Sequence, residues 1–259
     1  MAPSPSAFKT EILIRQKERA PVFFFDFDGT LAEIEQTPDK VTFRPIARFI
    51  VAELAKNYTV GIITGRALRE IKKLVGINGI FYSGNHGVEI DGPGLRFVEK
   101  NSASSAKFIG SLVQTIRRKL KPYGAIVQPK KYSVAVHYRT VEPGLVRNLL
   151  DDLEAITRAP VKAGKIKLQL GKKVVELKPP VEWDKGKAIE KIVRECGHTG
   201  RVFFFGDDMT DEYGFKKVNE LRGVSVFVGP LERETAAKYR LDSPSALVGE
   251  LAKFLFKSE

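Results

Sequence analysis

The run FFFDFDGTLAEI at residues 23–34 constrains this chain more than any other stretch. An unbroken apolar segment, which reads as a buried strand, ends in two carboxylates, Asp26 and Asp28, followed by Gly29 and Thr30. Two anions so close repel, and burying them unpaired is costly. A cation should sit between them. A second Phe-rich run, RVFFFGDD at 201–208, ends in acids in the same way.

The residues around these two runs alternate between strand-like and helix-like patterns. ARFIVAELAKN has helical spacing, YTVGIITGR reads as a strand, ALREIKKLVGI as a helix, and GIFYSGNHGVEI as a strand, a turn and a short hairpin strand. Later, KGKAIEKIVREC and TDEYGFKKVNEL are helical and GVSVFVG is a strand. This grammar predicts an α/β fold, a Rossmann-like parallel sheet with helices on both faces, built from residues 1–99 and 181–259. Residues 100–180 read differently. SAKFIGSLVQTIRRKLKPYG is an amphipathic helix stopped near Pro122 and Gly124, and AIVQPKKYSVAVHYR alternates as paired strands. PGLVRNLLDDLEAITRA is a second helix, and VKAGKIKLQLGKKVVELKP a hairpin turning at Gly171. The expectation is an inserted α+β domain.

Composition narrows the partners. The 259 residues carry a net charge of +12, with 17 of the 43 basic and five of the 31 acidic residues between positions 100 and 180, so the insert holds the whole excess. Such a face attracts a small anion. Nucleic acid is not expected, because RRKLK is short and aromatic interleaving is sparse. No apolar stretch reaches the roughly 18 residues of a membrane span, and MAPSPSAFKTEILIRQKERA lacks the apolar core of a secretion signal. A single cysteine, Cys196, excludes an intrachain disulfide and reads as a structural thiol in a reducing, cytoplasmic setting. Trp183 reads as hinge packing, and His198 as a solvent-exposed loop residue.

Ligands of an open parallel sheet collect beyond the carboxyl ends of its strands. Four segments could line that crevice: Asp26 and Asp28; Thr64, Gly65 and Arg66; Lys185 at a helix start; and Gly206, Asp207, Asp208 and Asp211. Hard oxygen donors without a Cys/His cluster predict Mg²⁺. With the metal and Lys185 offsetting charge, Asp26 can attack phosphorus to give an aspartyl phosphate. Asp28, two residues on, can protonate the departing alcohol and then deprotonate the hydrolytic water. Gly29 lets the backbone close around a phosphate, and Thr30 and Thr64 offer donors to its oxygens.

The order DxDGT, TGR, lysine, GDD resembles the haloacid dehalogenase superfamily of phosphohydrolases. GDDMTDE at 206–212, GNHGVE at 84–89, HYR at 137–139 and VELKP at 175–179 followed by WDKGKA resemble, within it, the trehalose-6-phosphate phosphatases. The resemblance implies a haloacid dehalogenase core with the insert as a C2-type cap, and Mg²⁺ held by Asp26, the Asp28 carbonyl and Asp207, with Asp208 and Asp211 in support. It makes Asp26, Asp28, Thr64 and Lys185 catalytic and gives substrate contacts to Thr30, Gly65, Arg66, Asn85 and His86. In the cap it implies that His137, Arg139, Glu176 and either Lys131 or Lys130 read sugar hydroxyls. The implied reaction is hydrolysis of trehalose 6-phosphate, with a trehalose-6-phosphate synthase as a possible functional partner. A phosphatase or mutase for another sugar phosphate would use the same core with a different cap, and a non-catalytic basic binding module would need none of these acids together.

Overall fold

The two Phe-rich runs pair side by side and in register. In the computed structural model, which describes residues 6–14, 20–197, 199–230 and 233–256, Phe23 lies opposite Phe203, Phe24 opposite Phe204 and Phe25 opposite Phe205 in parallel strands. His198 lies outside the described residues. The elements before the insert are β1 (Ser6–Ala7), α1 (Thr10–Ile14), β2 (Val22–Phe25), α2 (Pro45–Asn57), β3 (Thr59–Ile63), α3 (Leu68–Val75), β4 (Phe81–Gly84), β5 (Glu89–Gly92) and β6 (Leu95–Val98). Next come α4 (Ser102–Leu120), β7 (Ile126–Pro129), β8 (Val134–His137), α5 (Val146–Lys162), β9 (Lys167–Gly171) and β10 (Val174–Lys178). The chain returns through α6 (Lys185–Glu195), β11 (Val202–Gly206), α7 (Glu212–Glu220), β12 (Val224–Val228), β13 (Tyr239–Leu241) and α8 (Pro244–Phe256).

Contacts divide the chain into two units. The first comprises the residues up to Glu35, Val41–Phe97 and everything from Trp183 on; the second comprises Val98–Glu182 together with the short segment Gln36–Lys40. Among the described residues a nine-stranded sheet runs β1-β13-β12-β11-β2-β3-β4-β5-β6, parallel from β1 to β4, with β5 antiparallel to β4. Strand alternation sends neighbouring phenylalanines to opposite faces. Phe23, Phe25, Phe203 and Phe205 pack with Ile50 and Leu54 of α2 and Leu251 and Phe254 of α8. Phe24 and Phe204 pack with Ile189 and Ile192 of α6 and Phe215 and Val218 of α7. The runs are apolar throughout because both faces of the sheet are covered.

The helices begin and end where local chemistry allows. Pro45 opens α2, where its missing N–H has no intrahelical partner to lose. Asp184 caps α6 by accepting the Lys187 N–H at 2.9 Å, and so places Lys185 in its first turn. Cys196 ends α6 half-buried, with its thiol pushed up by burial and then by Glu195, which suits a structural role. Trp183 donates its indole N–H to the Gly87 carbonyl and packs tilted against Phe97, 4.7 Å between ring centroids, where the chain leaves and re-enters the first unit.

In the second unit, the antiparallel sheet β7-β8-β10-β9 packs one face on Ile109, Val113 and Ile116 of α4 and Leu149 and Leu153 of α5. The β9–β10 hairpin turns through Lys172 and Lys173, not at Gly171, which is the last paired residue of β9; the left-handed backbone falls on Lys173 with φ +62°. Helix α5 continues through Pro160 to Lys162. The terminal pieces β1, α1, β13 and α8 have no counterpart in the sequence patterns described above.

Truncating a fully buried ring that touches the α6–α7 layer should cost about 3–5 kcal/mol. Phe204→Ala is expected to lower the urea midpoint accordingly without changing the far-ultraviolet spectrum; a loss below about 1 kcal/mol would contradict this packing.

Candidate active site

The carboxyl ends of β2, β3, β4 and β11 lie next to one another at the centre of the sheet, so the residues just beyond them converge. Asp26 follows β2, its N–H donating to the Phe205 carbonyl at 2.8 Å. The next turn curls tightly, with the N–H groups of Thr30, Leu31 and Ala32 all donating to the Phe27 carbonyl. Gly29 makes this possible: its φ is +92°, and a Cβ there would overlap the Asp207 carboxylate. Thr30 is buried and donates its hydroxyl to Asp207 Oδ1 at 3.3 Å.

Among the described residues, Asp26, Asp207 and Asp211 form a buried group whose carboxylate oxygens lie within 4.8 Å of one another. Each like-charged pair at that separation repels by about 3–4 kcal/mol at an effective dielectric near 20. Lys185 answers part of this, since its buried ammonium donates to Asp26 Oδ1 and to Asp211 Oδ1, both at 2.7 Å. Burial alone would lower the Lys185 pKa; the carboxylates of Asp211 and Asp26 outweigh it and raise it above the ordinary lysine value. The Asp26 carboxyl is pushed well above the usual range by burial, which Lys185 offsets only in part and Asp211 and Asp207 reinforce. The all-oxygen donor set of this buried group suits a hard divalent cation.

Asp208 and Asp211, which the resemblance puts together in support of the metal, have separate positions. Asp211 is fully buried; its Oδ1 takes the Lys185 proton donor and its Oδ2 accepts the N–H groups of Asp207, at 3.0 Å, and Asp208, at 2.9 Å. Asp208 instead caps the following turn through the Met209 N–H. Asp211 is therefore the residue that holds the loop after β11 in shape.

Asp28 turns toward Arg66. Its Oδ1 and Oδ2 accept Arg66 Nη2 and Nε, each at 2.7 Å, and the remaining Arg66 nitrogen, Nη1, bonds Glu70 in the first turn of α3. Burial would lower the Arg66 pKa, but Asp28 and Glu70 more than compensate and raise it. Thr64, buried at the end of β3, accepts the Arg66 N–H at 3.2 Å. Beyond β4, Asn85 and His86 both adopt left-handed backbone, φ +51° and +57°, held by N–H bonds to the carbonyls of Arg66 and Thr64. Two successive non-glycine residues in that region store strain of the kind found at functional sites. The Asn85 amide donates to buried Glu89 at 3.0 Å, and the His86 ring lies against Gly65, where a Cβ would sit 2.6 Å from it.

The pattern of the family described as Trehalose-phosphatase matches residues 24–245. The chain belongs to the trehalose-phosphatase family. A trehalose-phosphate phosphatase of Mycobacterium tuberculosis is 34% identical over 88% of this chain, which spans 59% of that relative's length. Trehalose 6-phosphate phosphatase RA3 of Zea mays is 31% identical over 98% of this chain and 74% of its own length. In structure, the C-terminal domain of a Candida albicans trehalose-6-phosphate phosphatase superposes with a TM-score of 0.82, at 22% identity, over 98% of this chain and 99% of that one. The first unit thus has the haloacid dehalogenase fold.

The second unit carries its own polar cluster. Residues of β10 that alternate with the core-facing Val175 and Leu177 point to the opposite face. There Glu176 is buried and accepts Lys130 Nζ at 2.9 Å and the Ser133 hydroxyl. Lys131 instead lies over the Tyr132 ring, 4.8 Å from its centroid. His137 shares a hydrogen bond with Gln128 at 3.0 Å, and Arg139 donates to the Lys172 carbonyl at 3.0 Å. Glu70, Ser133 and Gln128 are absent from the sequence-derived set. Glu70 alone had a signal, its place four residues after Arg66 at the start of a helix.

Gly29→Ala forces a side chain into left-handed backbone against the Asp207 carboxylate. It should destabilise the protein by about 1–3 kcal/mol in chemical denaturation. A variant within about 0.5 kcal/mol of the parent would show that the turn is looser than this geometry.

Proposed function

We propose that the chain is a Mg²⁺-dependent phosphatase that hydrolyses trehalose 6-phosphate to trehalose and phosphate. The observation that carries the reading is the buried set of Asp26, Asp207 and Asp211 around Lys185 at the carboxyl edge of a parallel sheet, in a chain of the trehalose-phosphatase family. Asp26 and Asp207, with the Asp28 main-chain carbonyl, would hold the ion, and Asp211, whose oxygens are engaged by Lys185 and two N–H groups, keeps them in place. When bound, Mg²⁺ neutralises phosphoryl charge and so relieves repulsion of the anionic nucleophile.

In the first step an Asp26 carboxylate oxygen forms a bond to phosphorus. The bond from phosphorus to the sugar oxygen breaks, its electron pair stays on that oxygen, and Asp28 supplies the proton that makes it the alcohol. In the second step Asp28, now ionised, takes a proton from water as the water oxygen attacks phosphorus, which releases phosphate and restores the Asp26 carboxylate. Lys185 lowers the negative charge felt by the incoming phosphate. Thr30, Thr64, Gly65, Asn85 and His86 supply phosphate-facing donors and the wall behind them. In the second unit Lys130, Glu176, His137 and Arg139 read sugar hydroxyls; Lys130 is preferred over Lys131 because it already bonds Glu176. The reading includes a cytoplasmic enzyme that takes its substrate from a trehalose-6-phosphate synthase and binds neither nucleic acid nor membrane; among the described residues no helix is long and apolar enough to cross a bilayer.

Phosphate release from a set of sugar phosphates at fixed Mg²⁺ tests this. Trehalose 6-phosphate is expected to exceed glucose 6-phosphate in kcat/KM by at least about tenfold, and Asp26→Asn to lower turnover by roughly 10³-fold or more. Equal turnover of the two esters would defeat the substrate assignment, and an active Asp26→Asn protein the mechanism.

A further inference from the structure

The Arg66 guanidinium is fixed on several sides. Its Nε and Nη2 hold both oxygens of Asp28, its Nη1 bonds Glu70, and its carbon lies 5.8 Å from the centroid of the Phe27 ring. Its main chain is fixed as well, the N–H by Thr64 Oγ1 and the carbonyl by the Asn85 N–H. The side chain is 9% exposed, whereas those of Asp28 and Glu70 are each 34% exposed. The fork therefore connects a carboxylate on the catalytic turn to one on α3. A bidentate arginine fixes both the position and the plane of a carboxylate, which a lysine cannot do.

We infer that Arg66, braced by Glu70, is a positioning residue for Asp28 and not a phosphate ligand. The inference rests on the phosphatase reading and refines it. An acid that must reach a departing oxygen in one step and a water in the next gains from a fixed orientation, because a small misplacement of a catalytic group is costly in rate. To act as the acid, one Asp28 oxygen gives up its Arg66 nitrogen and carries the proton to the leaving alcohol, while the other stays on the fork. The same anchor holds the ionised carboxylate for the water that follows. Glu70 completes the brace from a helix whose C-terminus is set by left-handed Gly76, so the fork is aimed by regular structure.

The test compares two esters that differ in their need for an acid. Trehalose 6-phosphate has an alkoxide leaving group that must be protonated, and 2,4-dinitrophenyl phosphate leaves unaided; kcat/KM for both reports phosphoryl transfer to Asp26. In Arg66→Lys, kcat/KM for the sugar ester is expected to fall by about 10²-fold, while the dinitrophenyl ester changes by less than about threefold. Glu70→Gln should show the same split with a smaller loss, and inhibition by inorganic phosphate should be unchanged in both variants. Matching thermal melts establish that each variant is folded, and Glu70→Gln provides the answer if Arg66→Lys is not. An equal loss on both esters, weakened phosphate inhibition, or no loss on either overturns the inference. Wild-type protein that prefers another sugar phosphate overturns only the substrate assignment, and the split is then read on that ester. Wild-type protein inert toward every ester overturns both.

Discussion

A buried ammonium shared between two carboxylates organises everything around it. Lys185 cannot leave its position without exposing Asp26 and Asp211 to each other and to Asp207 in a region with little water. Removing one partner of such a group leaves an uncompensated buried charge, a loss of about 3–5 kcal/mol. The fold accordingly fixes each member separately: Asp26 at the end of a central strand, Lys185 on the first turn of a capped helix, and Asp211 through two main-chain N–H groups. These restraints hold together an arrangement that mutual repulsion would otherwise open, and a divalent ion bound there would add to the positive charge that Lys185 supplies.

The scaffold reaches this arrangement by pairing two nearly identical runs. In-register phenylalanines stack across β2 and β11, with centroids 5.3 Å apart for Phe23 and Phe203 and 5.1 Å for Phe25 and Phe205. The acids that follow them therefore emerge side by side. A slip by one residue would invert every side chain and bury Asp26 in the helix layer. Core packing and catalytic geometry are thus one constraint, and the price of misregister is both stability and the site.

Much of this was legible in residue order. Apolar runs ended by acids, helical spacing between them and a basic insert point to the parallel sheet and its inserted unit, because periodicity and charge are local properties that survive without coordinates. Direction of a side chain is not local. Asp208 and Asp211 look alike in GDDMTDE, yet only the turn between them decides that Asp211 faces inward and Asp208 caps. Arg66 stands in a loop motif compatible with a phosphate contact, and its actual partners come from a turn 38 residues earlier and a helix four residues later. Lys130 and Lys131 lie in the turn between β7 and β8, which places one on Glu176 and the other over an aromatic ring. The terminal strand β13 is three residues long and helix α8 is largely apolar, so neither announces itself by alternation or amphipathic contrast.

Titration of the folded protein with MgCl₂ by isothermal calorimetry tests the central claim most directly, since it reports how many ions the buried carboxylates bind and how tightly. The account predicts one ion per chain, affinity weakened by more than about tenfold in Asp207→Asn, and affinity within about threefold of the parent in Asp208→Asn. Undiminished binding in Asp207→Asn, or the reverse order of the two variants, would contradict it.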